Sequence, residues 1–286
     1  MSYHGIVVRM PSQFRRTSMV AIAVGNLLLA VCWWGVVIAG DEIAGDGAES
    51  ATVEVAPPPV EYPPGKLGEI IRLGEQVVME TSEHPLSKAF VGNSLNCSSC
   101  HLDGGRDPKA ATFLGVASAY PAWAPREQRV ITLEDRILNC FIRSQNGTRP
   151  PNGGELSVAL AAYISWLSEG YKIRLNASKS LGPNQMQMLD VDQFTPSVER
   201  GAELYRDRCA DCHADDGGGG DAPPVWGPQS FNDGAGMARI DKLASWLKVA
   251  MPPDETDLSG SEAIDLAAYI NSKPRPKFSP PAAAER

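Results

Sequence analysis

The chain has 286 residues, with 34 acidic and 26 basic side chains and a net charge of −8. This acidity argues against a nucleic-acid partner. The length and the apolar content of 43% are sufficient for two small domains, each with its own core.

An uncharged, largely apolar run covers residues 19–40 and follows Arg9, Arg15 and Arg16. A helix of this length spans about 33 Å, which is enough to cross a bilayer. A cleavable signal peptide has a shorter apolar region and a small-residue cleavage site, so an uncleaved anchor is favoured. Because the basic flank comes first, we expect residues 1–18 in the cytoplasm and the rest of the chain in the periplasm, on a single-pass inner-membrane anchor.

The segment after this run, residues 41–64, is acidic at first and Pro-rich at its end. That composition is typical of a semi-extended tether. We expect the first folded domain to cover residues 65–176. Its opening helix is predicted by apolar residues at helical spacing, namely Ile70, Ile71, Leu73, Val77 and Val78.

Two copies of one cysteine motif organise the chain: C-S-S-C-H at residues 97–101 and C-A-D-C-H at residues 209–213. Two thiols at this spacing reach the vinyl groups of a c-type haem, while the adjacent imidazole binds the iron. A single copy could be a thioredoxin-like redox pair, but two copies favour two covalent haems. The predicted attachment and proximal residues are Cys97, Cys100, His101, Cys209, Cys212 and His213.

The distal ligand of the first haem is predicted from an internal repeat. Between His101 and residue 176 there is no Met and no other His, so Cys140 is the remaining soft donor. Cys140 lies 43 residues after the first cysteine of its motif, and Met251 lies 42 residues after the first cysteine of the second motif. Cys140 and Met251 are therefore predicted distal ligands at equivalent positions. A thiolate should lower the potential of its haem relative to a His/Met haem.

Alternatives to these ligands remain open. Lys109 could ligate the first haem, or Cys140 could be no more than a buried apolar side chain. Met237 is a rival to Met251 at the second haem.

The helices expected around the motifs indicate an all-α fold of two tandem cytochrome c domains. Thr132 and Asp135 form a predicted capping box that places Cys140 late in a helix, and Ser259 and Glu262 form another. Residues 102–131 are expected to be a long irregular stretch. Further helices are predicted over residues 155–168 and 198–208. The linker is predicted at 177–193, the second domain at 194–275 and a loose tail at 276–286.

Four sequence blocks resemble the dihaem thiosulfate dehydrogenases that form tetrathionate. They are G-N-S-L-N-C-S-S-C-H-L-D-G-G at residues 92–105, Y-P at 120–121, L-E-D-R-I at 133–137 and C-F-I-R-S-Q-N-G at 140–147. The resemblance implies a His/Cys haem as the active site and a His/Met haem that passes electrons out. It also implies that Cys140 is the catalytic ligand, that Arg126, Arg143 and Ser144 form the substrate pocket, and that Arg136 supports it.

The expected function is oxidation of thiosulfate to tetrathionate by a membrane-anchored dihaem cytochrome, with another cytochrome or membrane component as electron acceptor. Guanidinium groups suit this substrate because they bind anionic oxygens through paired hydrogen bonds. Two departures from the family pattern are Ala124, where an arginine is usual, and Ala250 before Met251. A membrane-anchored electron carrier without a small-molecule substrate is the alternative.

Overall fold

The computed structural model describes residues 57–178 and 182–280. Within these residues, none of the helices combines the length and the apolar character that a membrane crossing requires. The predicted cytoplasmic segment 1–18 and anchor 19–40, together with most of the tether, lie outside the described residues. All described residues belong to one compact unit, residues 51–286.

Seven helices and one short hairpin make up the regular structure of the described part of the chain. The helices are α1 Lys66–Met79, α2 Leu133–Phe141, α3 Glu155–Trp166, α4 Val198–Arg208, α5 Ala210–His213, α6 Ile240–Ala250 and α7 Gly260–Ser272. The strands are β1 Ala122–Ala124 and β2 Arg129–Ile131. Short 3₁₀ turns lie at Lys88–Phe90, Cys97–Ser99, Asp103–Gly105, Val116–Ala119, Val191–Gln193 and Gly236–Ala238.

The same helix crossing occurs in both halves of the protein. Helix α1 packs on α3, and α4 packs on α7. A Cβ added to Gly74 would lie 2.1 Å from the Ala159 carbonyl oxygen, and one added to Gly201 would lie 2.1 Å from the Asp265 carbonyl oxygen. Both crossings therefore need a glycine, because only a residue without a side chain lets the backbones approach so closely. The internal repeat is a structural repeat.

Both predicted capping boxes are present. The Thr132 hydroxyl accepts the Asp135 amide at the start of α2, and the Asp135 carboxylate accepts the Thr132 amide. Ser259 and Glu262 do the same at the start of α7. These reciprocal bonds satisfy amides that have no partner within the helix. Because α2 begins here, Cys140 falls in its last turn, as predicted.

The expectation of an all-α fold needs one correction. Strands β1 and β2 form a two-stranded antiparallel sheet inside the stretch that was predicted to be irregular. Ala122 and Ala124 are buried and Trp123 between them is not, which is the alternation of a strand with one buried face. Helix α3 also ends at Trp166, two residues before the predicted end.

The two halves are joined by direct contacts near the first motif. The Trp246 indole donates to the Cys100 carbonyl oxygen at 2.9 Å. The Asn93 side-chain amide donates to the carbonyl oxygens of Ser144 and Ser230, at 2.8 and 3.1 Å. Asn93 is only 8% exposed, so this link is buried.

Candidate active site

Each cysteine motif lines its own cavity. The first cavity has a volume of about 280 Å³, and Cys97, Cys100 and His101 lie on its wall. The second has a volume of about 330 Å³, and its wall includes Cys209, Cys212 and His213. Most of the remaining lining is apolar, including Leu160 and Ile164 in the first and Leu247 and Leu266 in the second. Two thiols and an imidazole facing an apolar cavity fit a covalently bound haem.

The two histidines are oriented in the same way. His101 Nδ1 lies 2.5 Å from the Ala111 carbonyl oxygen, and His213 Nδ1 lies 2.7 Å from the Pro223 carbonyl oxygen. A carbonyl oxygen only accepts, so Nδ1 carries the proton in both rings and Nε2 keeps a free lone pair that could bind iron. Burial lowers the pKa of His101 to about 4, so this ring is neutral at neutral pH.

Three of the four motif cysteines, Cys97, Cys100 and Cys209, are unsuited to thiol redox chemistry. Burial raises the pKa of Cys97 to about 11 and that of Cys100 to about 12. Burial likewise raises the pKa of Cys209 to about 11. Reactive thiols have a lowered pKa, because the thiolate is the nucleophile. The thioredoxin-like interpretation of the motif is therefore disfavoured.

The predicted distal residues lie on the walls of the expected cavities. Cys140 lines the first cavity and Met251 lines the second. Lys109, the alternative at the first site, is exposed and is not part of the described wall. Met237 lines both cavities, so its position alone does not exclude it as a ligand of the second haem.

Arg136 and Ser144 flank Cys140 in the first cavity. Arg136 is one helical turn before Cys140, and its Nη1 donates to the Cys140 sulfur at 3.2 Å. The electrostatic interaction with Cys140 is the main reason why the pKa of Arg136 is raised above its ordinary value. Ser144 lies on the same wall. The cavity therefore holds a sulfur donor, a fixed cation and a hydroxyl group together.

The other two predicted arginines are not part of this wall. Arg126 Nη1 donates to the Gly234 carbonyl oxygen at 3.0 Å, and Arg143 Nη1 reaches the same oxygen at 3.4 Å. Arg143 also pairs with Glu127 at 3.2 Å and lies 4.1 Å above the ring of Phe278. Neither arginine lines the cavity. Burial is the main reason why the pKa of Arg126 is lowered, and the positive charges of Arg143 and Arg136 lower it further. The three guanidinium groups therefore interact electrostatically.

Sequence reasoning assigned no site role to several polar residues of the first cavity. They are Tyr120, Gln145, Asn184 and Gln185. The sequence did offer a reason to expect Tyr120 at the site, because Tyr120 belongs to one of the blocks that carry the family resemblance. Met186, which belongs to the predicted linker, lies on the cavity wall while packing against the second core. The linker thus forms part of the first site.

Comparisons with known proteins support this arrangement. The family model for the SoxA/TsdA cytochrome c domain matches residues 87–173, and the model for cbb3-type cytochrome c oxidase subunit III matches residues 196–270. The thiosulfate dehydrogenase of Allochromatium vinosum is 38% identical over 231 residues, covering 77% of this chain and 83% of its own length. The chain belongs to the thiosulfate dehydrogenase family.

Further members of the thiosulfate dehydrogenase family agree with this assignment. The enzyme of Thiomonas intermedia is 36% identical, covering 77% of this chain and 71% of its own length. The solved thiosulfate dehydrogenase TsdBA of Marichromatium purpuratum, in its "as isolated" form, matches with a TM-score of 0.70 and 37% identity. This match covers 77% of the present chain, which spans about half (49%) of the TsdBA chain.

Membership of the thiosulfate dehydrogenase family settles the cofactor. The chain carries covalently bound c-type haem, and two haems fit its two cytochrome c domains. The four motif cysteines and two histidines described above would hold them. Bound haem supplies one-electron redox chemistry, while the protein supplies position, charge and ligands.

Proposed function

We propose that the protein is a thiosulfate dehydrogenase that joins two thiosulfate ions into tetrathionate at the first cavity. One S–S bond forms, no proton is taken up or released, and two electrons are released to an external acceptor. The second haem, when bound, would supply the route for these electrons. The observation that carries the proposal is the contact of Arg136 with the Cys140 sulfur on a cavity wall that also holds Ser144. In this proposal Cys140 and Met251 would each supply a ligand to the iron of a bound haem.

Charge is the main obstacle to this reaction. Thiosulfate is a dianion, and two dianions 4 Å apart repel by about 4 kcal/mol even in a medium as polar as water. Arg136 would bind one substrate oxygen directly, because its guanidinium group faces the cavity. Arg126 and Arg143, which do not line the cavity, would add positive potential near Arg136. Glu127 neutralises one of these charges, which leaves the group net positive.

The position of the second cavity favours removal of electrons from the first. Four residues line both cavities, namely Leu95, Cys100, Phe231 and Met237. A shared wall keeps the two cofactor sites close, and this suits electron exchange between them. The anchor at residues 19–40 and the periplasmic location remain part of the proposal, with another cytochrome or a membrane component as acceptor.

The test is steady-state reduction of ferricyanide by thiosulfate, with purified protein that carries both haems. We expect turnover by the natural sequence, and we expect the Cys140→Gly variant to lose activity by at least about 100-fold. The control is Lys109→Ala, which removes the exposed alternative donor and should keep full activity.

Two outcomes would contradict the proposal. Full activity of the Cys140→Gly variant would show that the sulfur is not needed for the reaction. If thiosulfate leaves both haems oxidised while a small reductant reduces them, the protein is an electron carrier built on an enzyme scaffold.

A further inference from the structure

The turn that follows Cys140 is held by groups from outside its own helix. The Ile142 carbonyl oxygen accepts from the Asn232 side-chain amide at 2.9 Å, and the Ser144 carbonyl oxygen accepts from the Asn93 side-chain amide at 2.8 Å. The Arg143 carbonyl oxygen accepts from the Asn232 backbone amide at 3.3 Å. Two of these three bonds come from Asn232, a residue of the second cytochrome domain.

Asn232 is fixed at both ends of its amide group. Its Nδ2 donates to Ile142 and also to Asn146 Oδ1, at 3.2 Å, while its Oδ1 accepts the Gly234 amide at 3.1 Å. The residue is only 2% exposed. Buried amides that are fully bonded hold a single orientation, because any other would leave a buried polar atom without a partner.

The chain around Asn232, residues 231–237, contributes further to the first site. Phe231, Ala235 and Met237 lie on the wall of the first cavity. The Gly234 carbonyl oxygen holds both Arg126 and Arg143. We name residues 231–237 the completing segment. It belongs to the second domain, yet it supplies part of the wall, the anchor of two arginines and the support of the Cys140 turn.

We infer that Asn232 is a positioning residue for the first haem site and that the completing segment makes the active site a property of both domains. Asn232 acts through the turn 142–146, which sets where Ser144 lies relative to Cys140. The consequence for catalysis rests on the proposed function, whereas the consequence for the haem environment does not. Small displacements of groups that orient a substrate are costly, since reaction requires near-contact geometry.

The experiment compares two variants in the full-length protein with both haems attached. Asn232→Asp keeps the size of the side chain and the acceptor for Gly234 but removes both donors. Asn232→Ala removes all side-chain bonds. The matched control is Asn176→Ala, since Asn176 also donates to two main-chain carbonyl oxygens, those of Ala119 and Arg174, and does not contact the Cys140 turn.

The first readout is the resting protein, without substrate. We expect both Asn232 variants to change the electron paramagnetic resonance signal and the midpoint potential of the first haem, while the signal of the second haem stays as in the natural sequence. The second readout is the KM for thiosulfate, which we expect to rise about tenfold with a smaller change in kcat. The Asn176 control should leave all of these values unchanged.

The inference is overturned if both Asn232 variants lower only the melting temperature and leave the resonance signal, the potential and the KM unchanged. In that case Asn232 merely packs the two domains together. If Asn232→Ala does not fold, the isosteric Asn232→Asp variant decides the question. Failure of the natural sequence to oxidise thiosulfate would refute the proposed function, while the resting-state readouts would still judge the role of Asn232.

Discussion

The two haem cavities share one design around the histidine and differ in the residue that the sequence predicts as the distal ligand. In both, a glycine at a helix crossing brings two helices together, and a carbonyl oxygen ten residues after the histidine orients its ring. The predicted distal residue on the wall of the first cavity is Cys140, which contacts Arg136, and that on the wall of the second is Met251. The part that attaches the haem is thus retained in both halves, while the part that decides the chemistry has diverged.

The largest effect is expected when the predicted distal residue of the first cavity is replaced by that of the second. In Cys140→Met we expect thiosulfate turnover to fall by at least about 100-fold. We also expect the potential of the first haem to rise by on the order of 100 mV, because a thioether donates less charge to iron than a thiolate. Potentiometric titration and the ferricyanide assay measure the two effects. An unchanged potential would show that Cys140 does not ligate the iron.

Substitutions at the two helix crossings test whether this shared feature contributes equally to the stability of both domains. Gly74→Ala and Gly201→Ala each place a Cβ 2.1 Å from a carbonyl oxygen, so we expect each to destabilise its domain by about 3 kcal/mol. Thermal unfolding followed by circular dichroism should report a comparable decrease for both. Gly236→Ala is the control, because a Cβ there meets nothing within 4 Å. A large loss for only one glycine would show that the repeat is not energetically equivalent.

The two capping boxes are expected to differ less in their contribution to the free energy of unfolding. Asp135 caps α2 and also pairs with Arg129 at 3.1 Å and Arg149 at 2.7 Å, whereas Glu262 caps α7 with hydrogen bonds to Ser259 and without an ion pair among the described residues. We expect Asp135→Asn to cost about 2 kcal/mol and Glu262→Gln about 0.5 kcal/mol. Chemical unfolding of the two variants measures both values. Equal losses would show that the arginine pairs add nothing.

The lowered pKa of Asp135 also predicts how the stability of the fold depends on pH. Burial acts to raise its pKa, but the hydrogen bond from Arg129 and the bond to Thr132 outweigh it, so its pKa is below the ordinary value. A carboxyl group whose pKa is lowered by folding stabilises the folded state above its unfolded pKa of about 3.9. That stability is lost as the pH falls through the lower folded value. We therefore expect Asp135→Asn to flatten the acid limb of the stability curve, measured by unfolding between neutral and acidic pH.

Local signals accounted for much of what could be predicted. The cysteine motifs, the capping boxes and the helix over residues 198–208 depend on residues close together in the chain, so their spacing is sufficient to predict them. The hairpin of β1 and β2 was missed because its strands have only three residues each. The distal position of Cys140 is a prediction from the repeat, and the structure places Cys140 on the wall of the first cavity.

The two haem motifs, the repeat and the family can be predicted from local sequence, because they depend on residue types at fixed separations. The completion of the first site by the second domain emerges only in the folded protein, since Asn232 and Ile142 are 90 residues apart and no local pattern joins them. The fold likewise directs Arg136 to the cavity wall and Arg126 and Arg143 to the Gly234 carbonyl oxygen. A guanidinium group bonds to whichever acceptor the fold brings near, and folding alone sets that choice.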